Sequence, residues 1–474
     1  MLRRALFALL LFAPLLTGMT PRAALAVPAV PSNFVVENAW PGVTFVVPTK
    51  LVWLPDGRAL VAEKRGRVWA VRNGVKAANA MVAIDAEVLD ANDRGLLGLA
   101  VDPNYFVNHY VYLMYTVDPD SNNVETNTDA FSRITRYTVN FTDSATVIAS
   151  SRTVLVGSTW TNGIVSCSPS HTIGDLNWGS DGSLLVSTGD GASFTATDAG
   201  GLHPGCFGNG KTDPYEDIGA FRSQSLSSLA GKILRINPAN GWGYASNPWY
   251  DGNLQSKRSR VWCYGLRNPF RFTVRPGTGS TDPNAGAPGA LFVGDVGYNT
   301  WEEQNLAPTG GRNFGWPCYE GVDIQGAYQG ANPAHNGCGS AGTADNPAFA
   351  TAPSLTYNHG AAVASVPNYP GLWGNTAIGG TFYRGANYPA AYRQQYFFGD
   401  YGQNWVRVMT VDANSNMVSV SDFGTAMDAP VCFANDPVSG DVFYVSITTG
   451  EIRRIRYTGV TGNASPIAVG TATP

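Results

Sequence analysis

The sequence predicts an all-β fold, a six-bladed β-propeller of four-stranded antiparallel blades, and three observations predict it. One hairpin-like unit recurs six times along the chain. The composition, with 54 Gly, 30 Pro and 11% aromatic residues against 14% charged ones, describes short strands joined by many turns and leaves little material for solvated amphipathic helices. A strand-like segment near the start, FVVENAW at 34–40, is placed to complete the last sheet and close a ring.

The recurring unit is an apolar strand, a turn rich in Asp, Pro or Gly, a second strand of alternating apolar residues, and often a third. The first copy is LVWLPDGRALVAEKRGRVWAV at 51–71, and the second GLLGLAVDPNYFVNHYVYLMYT followed by SRITRYTV. The third is GDLNWGSDGSLLVSTGDGA with GKILRINP, and the fourth YGLRNPFRFTVRPG with ALFVGDVG. The fifth joins IGGTFYRG to QYFFGDYGQNWVRVMTV, and the sixth is CFANDPVSGDVFYVSITTGEIRRIRY. A period of two, as in Leu184 and Val186 or Phe443 and Val445, sets one side of each strand against a neighbour. Radially arranged four-stranded sheets bury such faces on both sides and leave only short edges. A two-layer sandwich would not require six similar hairpins. The available length, roughly 70 to 75 residues per blade, exceeds what four strands use and implies long insertions. These fall at 191–228 and 317–370, both rich in Gly, Asn, Asp and Pro, and long loops in compact domains tend to carry function.

The N-terminus has the order of a signal peptide over residues 1–26. Arg3 and Arg4 precede an apolar run from Ala5 to Leu16, and Ala24-Leu25-Ala26 follows as a small-x-small cleavage site. Residues 27–461 then form the propeller, and GNASPIAVGTATP at 462–474 has the composition of a linker-like tail. The expected location is secreted or periplasmic, with no membrane span after signal removal. Six cysteines in an exported chain suggest disulfides among fifteen connectivities. Cys318 with Cys338, closing a Gly/Asn-rich loop, and Cys167 with Cys206 are the expected bridges, whereas Cys263 and Cys432 in strand-like runs suit buried thiols. A net charge of −4 without a Lys/Arg cluster argues against a nucleic-acid partner.

Only five histidines bound the search for a general base. His171 stands just before the first strand of the third copy, where strand ends line a propeller's central opening, and Asp190 ends the following strand of the same hairpin. Antiparallel pairing could bring the two together, fixing a tautomer and raising basicity. A histidine before a strand also serves as a structural hydrogen-bonding residue. His109, His203, His335 and His359 sit in loop-like contexts and read as surface or structural.

Six segments occur in a fixed order: RGLLGLAVDPNY, HTIGDLNWGSDGSLLVSTGDGA, GKILRINP, YGLRNPFRF, GDVGYNTWEEQNL and GGRNFGWPCYEG. Together they resemble the motif series of the soluble quinoprotein glucose/sorbosone dehydrogenase family, a series shared with non-enzymatic relatives such as hedgehog-interacting proteins. The resemblance implies an exported dehydrogenase dependent on pyrroloquinoline quinone (PQQ) and calcium, oxidising a sugar and passing electrons to an external acceptor. It implies that His171 is the general base with Asp190 as its partner, and that Arg267 and Asn268 face the quinone. Asp93 holds a position where the family usually has Gln or Glu near the substrate; a simple turn Asp is the equal alternative. Gly297 and Tyr298 match a turn whose carbonyls hold calcium, and Glu303 matches a ligand of a second, structural calcium. From residue type alone Glu302 and Glu303 read as solvated acids. The family pattern also has a Lys in blade five and an Arg-x-Arg pair opening blade six, which hold the quinone carboxylates. Here GDYGQNW and DAPVCFAN supply no cation at Gly402, Gln403 or Ala429 to Val431, which leaves Arg384 and Arg407 as the nearby substitutes. The competing reading from that departure is a calcium-stabilised, non-enzymatic propeller that binds carbohydrate or protein.

Overall fold

Burial falls from the inside of each predicted sheet outward, as a ring of sheets around an axis requires. The strand Leu184–Thr188 is buried at every residue, whereas the outermost strand of the fifth blade, Met417–Gly424, is largely exposed. The computed structural model describes residues 27–121, 129–140, 146–340, 351–360 and 371–459. Residues 1–26, the 462–474 tail and part of the 317–370 insertion lie outside them.

Six antiparallel sheets follow one another in chain order, each beginning at the axis. Their innermost strands are Pro48–Trp53, Leu96–Val101, Ile173–Trp178, Arg271–Val274, Ala377–Phe382 and Pro430–Asn435. Each contacts the innermost strand of the next blade, and the sixth contacts the first, so the ring closes. The six copies read from the sequence coincide with these six blades. Closure is made by the strand Phe34–Asn38, which pairs antiparallel with Glu451–Tyr457 from Phe34 opposite Tyr457 to Asn38 opposite Arg453. Arg456 grips Glu37 across the seam through two hydrogen bonds of 2.9 Å.

Between blades the core is apolar packing divided into separate clusters. Leu97, Met114, Leu176, Val186 and Leu234 join the second blade to the third, and Val61, Leu51, Phe443 and Val445 join the first to the sixth. Large aromatic side chains fill the wedges that widen toward the rim, as where Tyr383 stacks on Tyr388 at 3.9 Å between ring centroids. No described helix is long and apolar enough to cross a membrane.

Both expected disulfides form, Cys167–Cys206 and Cys318–Cys338, with Cα separations of 5.9 and 5.4 Å. Cys263 and Cys432 are buried free thiols, and burial pushes the Cys263 thiol up to about 12. The insertions after Asp190 and after Trp316 pack on each other through Ile218, Phe221, Trp316, Cys318 and Tyr328. They form a wall at the end of the axis where the inner strands begin.

Candidate active site

Each inner strand opens at the same end of the channel, and their first residues surround a cavity of about 550 Å³. Thr49, Leu97, Ile173, Phe270, Ile378 and Val431 supply its floor, one from each blade region, and the long loops supply its sides. Beneath the floor, Arg271 plugs the channel. Its guanidinium donates to the carbonyls of Thr49, Gly174, Phe270 and Val431, spanning four blades.

His171 enters the cavity from the turn before the third blade. Its backbone takes a left-handed φ of 51°, a conformation that costs a non-glycine residue energy and is held by surrounding bonds. The Gly191 N–H donates to the His171 carbonyl at 2.8 Å, and the His171 N–H donates to the Asp93 carboxylate at 3.2 Å. Gly189 is required here because a Cβ on it would stand 2.2 Å from the His171 carbonyl oxygen. The pairing of strands brings Asp190 beneath the imidazole, with Nδ1 and Oδ1 3.1 Å apart.

Asp190 is fully buried and well supplied with donors. Ala192 N–H reaches Oδ1 at 2.8 Å and the Trp316 indole N–H reaches Oδ2 at 2.8 Å. Burial alone would raise its pKa, but the charges of His171 and Arg267 and the hydrogen bonds outweigh it and hold the carboxyl below the usual range. An ionised Asp190 requires Nδ1 of His171 to carry the proton, which leaves Nε2 as the basic atom. Arg222 locks this corner, donating to the carbonyls of Asp190 and Gly191 at 2.9 Å each.

Arg267 comes from the turn that opens the fourth blade. Backbone N–H groups of Arg267 and Asn268 clamp the Asp295 carboxylate at 3.0 and 2.6 Å, which aims both side chains into the cavity. The guanidinium Nη1 donates to the carbonyls of Val296 and Gly297 at 3.0 and 2.6 Å and lies over the Tyr298 and Trp316 rings. Its Nε is buried without a partner.

The structure therefore brings His171, Asp93, Arg267, Asn268, Gly297 and Tyr298 to one cavity, with Asp190 directly behind His171. Arg384 is not among them. It lines a separate cavity at the other end of the channel, because it follows the end of its inner strand rather than the start. Arg407 lies outside both cavities and pairs with Asp422 at 2.8 Å. Glu303 is also outside the cavity. It is buried opposite Asp295 on the neighbouring strand, and burial, with the Asp295 charge second, pushes it up to about 8.

Four further side chains contribute that the sequence did not single out. His359 lines the cavity, and its Nδ1 lies 2.6 Å from Oε1 of Glu302, which is buried and not solvated. Trp316 arrives from the loop after the fourth blade's insertion point. Phe194 and Tyr401 stand exposed at the cavity's edge. Both acids of the Trp-Glu-Glu run are buried in a strand covered on its two faces, so alternation did not separate them, and nothing local marked the histidine partner of Glu302.

These residues fit a quinone at its reacting end, where a base, a guanidinium with an unpartnered buried Nε, and aromatic faces converge. Opposite these groups the lining is apolar, from the Ile378 and Val431 part of the floor to Ile447, and among the described residues Lys64 and Arg267 are the only Lys or Arg lining the cavity. For calcium, the Gly297 carbonyl is already an acceptor for Arg267. Around Glu303, two buried carboxylates and the unpartnered Asn305 Oδ1 suit a hard cation. Among the described residues no group of three or more His, Cys, Asp or Glu has the geometry to hold a metal.

The glucose/sorbosone dehydrogenase family model matches residues 45–380. The chain belongs to that family. It is 28% identical over 285 residues to the HIPL1 protein of Arabidopsis thaliana, covering 56% of this chain and 34% of that one. It is 26% identical over 289 residues to quinoprotein glucose dehydrogenase B of Acinetobacter calcoaceticus, covering 60% and 53%. These matches span less than two thirds of either curated relative. The PQQ-bound structure of an aldose sugar dehydrogenase from Streptomyces coelicolor superposes with a TM-score of 0.57 at 19% identity, covering 90% of this chain and 99% of that one. That likeness is one of fold.

Proposed function

We propose that this family member is an exported, PQQ- and calcium-dependent dehydrogenase that oxidises a hydroxyl carbon of an aldose-type sugar and passes the electrons to an external acceptor. The observation that carries the reading is the line Trp316–Asp190–His171 ending at Arg267's cavity, since a hydrogen-bonded base beside a fixed positive charge is what hydroxyl oxidation needs.

His171 Nε2 takes the hydroxyl proton while Asp190 holds Nδ1–H and stabilises the imidazolium that results. Arg267 and Asn268 supply donors where an acceptor oxygen gains negative charge. Bound PQQ would supply the two-electron acceptor for the hydride. Asp93 orients the His171 backbone and offers an oxygen to a sugar hydroxyl, and Phe194 and Tyr401 offer faces on which a sugar ring can pack. Gly297 and Tyr298 would hold one calcium and Glu303 a structural one.

The apolar wall favours a second reading, a calcium-stabilised propeller that binds carbohydrate or protein without catalysis. Absent carboxylate partners, each worth about 1.5 to 3 kcal/mol as a charge-assisted bond, weaken quinone affinity by orders of magnitude. Titrating PQQ and calcium into metal-stripped protein separates the two. Stoichiometric quinone uptake with sugar-dependent dye reduction is expected, and no uptake at roughly 50 micromolar quinone leaves the binding reading in its place.

A further inference from the structure

The channel has a second mouth, chemically separate from the first. Along the inner strands, the residues after those that floor the larger cavity line a second one of about 230 Å³, with Lys50, Asp175, Arg271, Arg384, Trp53 and Asn435 among them. The Arg271 plug lies between the two cavities, and no residue lines both.

Its charge is unbalanced. Lys50 and Asp175 neutralise each other through a 2.7 Å ion pair that is almost wholly buried. Arg271 is 2% exposed, lies over the Phe270 ring and, among the described residues, donates only to carbonyl oxygens, so its charge is solvated by dipoles and a ring face but not cancelled by a carboxylate. Arg384 stands at the rim with no described acidic partner, and desolvation alone lowers its pKa. Two guanidinium charges thus face one recess in a chain whose net charge is −4. Half-enclosed walls of low dielectric focus such a field on an anion.

The remaining groups narrow the anion's class. Asn435 Nδ2 is committed to Thr381 Oγ1 and the Phe382 carbonyl at 2.8 and 2.7 Å, whereas its Oδ1 is buried with no donor. The Trp53 indole N–H is likewise buried without an acceptor. An unused acceptor calls for a ligand hydroxyl, an unused donor for a ligand oxygen, and the partly exposed Trp53 ring gives a face for a carbohydrate skeleton. We infer that this second mouth binds a small polyhydroxylated carboxylate, a sugar acid, with Arg384 taking the carboxylate and Asn435 and Trp53 taking hydroxyl groups.

The site does not involve His171 or a quinone, so it stands or falls apart from the dehydrogenase reading. Isothermal titration of the full chain with D-gluconate should show saturable binding at or below about 1 millimolar. D-glucose, lacking the carboxylate, and acetate, lacking the hydroxyls, should each bind at least tenfold more weakly. Arg384→Ala and Asn435→Ala should each weaken gluconate at least tenfold, with His171→Ala leaving it unchanged. Acetate or inorganic phosphate binding as tightly as gluconate would overturn the assignment to sugar acids. Gluconate binding that survives Arg384→Ala and is lost in His171→Ala would place the ligand in the larger cavity and overturn the site, as would no heat of binding at about 10 millimolar.

Discussion

His171 and His359 line one cavity, and each presents Nδ1 to a fully buried carboxylate, yet their settings differ in what they do to the ring. Asp190 is shared among His171, Trp316 and Ala192 and lies in the field of Arg267, so its carboxyl is held below the usual range by several partners rather than by its histidine alone. Glu302 is held by the N–H groups of Gly297 and Ala377 and makes a short bond to a more accessible ring. That bond, against burial, raises the pKa of His359. The first arrangement suits a base with a free Nε2, and the second suits a persistent cation. A carboxylate's other partners, rather than its mere presence, decide which role its histidine takes.

Removing each member should expose this difference, beginning with the largest effect. His171→Ala should lower kcat by about 10²- to 10⁴-fold while quinone uptake is unchanged, measured by dye reduction and by absorbance of bound quinone. Unchanged turnover would remove His171 from the role of base. Asp190→Asn keeps the shape but loses the ionised acceptor, so kcat should fall by about 10² or more, with rescue at higher pH absent if the wrong tautomer is the cause. Trp316→Phe leaves Asp190 Oδ2 without its indole donor. It should cost about 1 to 3 kcal/mol in denaturant-derived stability and about tenfold in kcat. A full loss of activity there would mean that Trp316 touches the substrate.

The smallest effect concerns His359. Its proton NMR titration should show a midpoint above the ordinary 6.5. Because the folded value is raised, the pair's contribution to stability is complete below the unfolded pKa of about 6.5 and is lost as pH rises through the folded value. His359→Gln should abolish that pH dependence in thermal melts while leaving kcat within about threefold. A midpoint at or below 6.5 would make the two histidines alike and erase the contrast.

The fold was legible because each blade announces itself locally. An apolar strand, a turn and an alternating strand are contiguous in sequence, and even the closing strand at Phe34–Asn38 carried its own pattern. His171 and Asp190 were legible for the same reason, being partners within one hairpin. Trp316 and His359 were not, since they reach the cavity from segments 126 and 57 residues distant from the carboxylates they touch. Arg384 misled because proximity in sequence to the fifth blade's inner strand says nothing about which end of the channel it faces; the strand's direction puts it at the far one. Glu302 and Glu303 read as solvated acids because an adjacent pair is commonly exposed, whereas here both lie buried in the third strand of a sheet.

The seam between Phe34–Asn38 and Glu451–Tyr457 also orders events in time. As the chain is synthesised, the segment that begins the propeller must wait for partners more than 400 residues later. Until then the last blade lacks a strand, and its apolar neighbours, Phe34 among them, remain uncovered. A chain that ends before Glu451 therefore keeps an open sheet edge for proteases and aggregation to find. Ring closure thus makes the order of the last blade depend on both ends of the propeller at once.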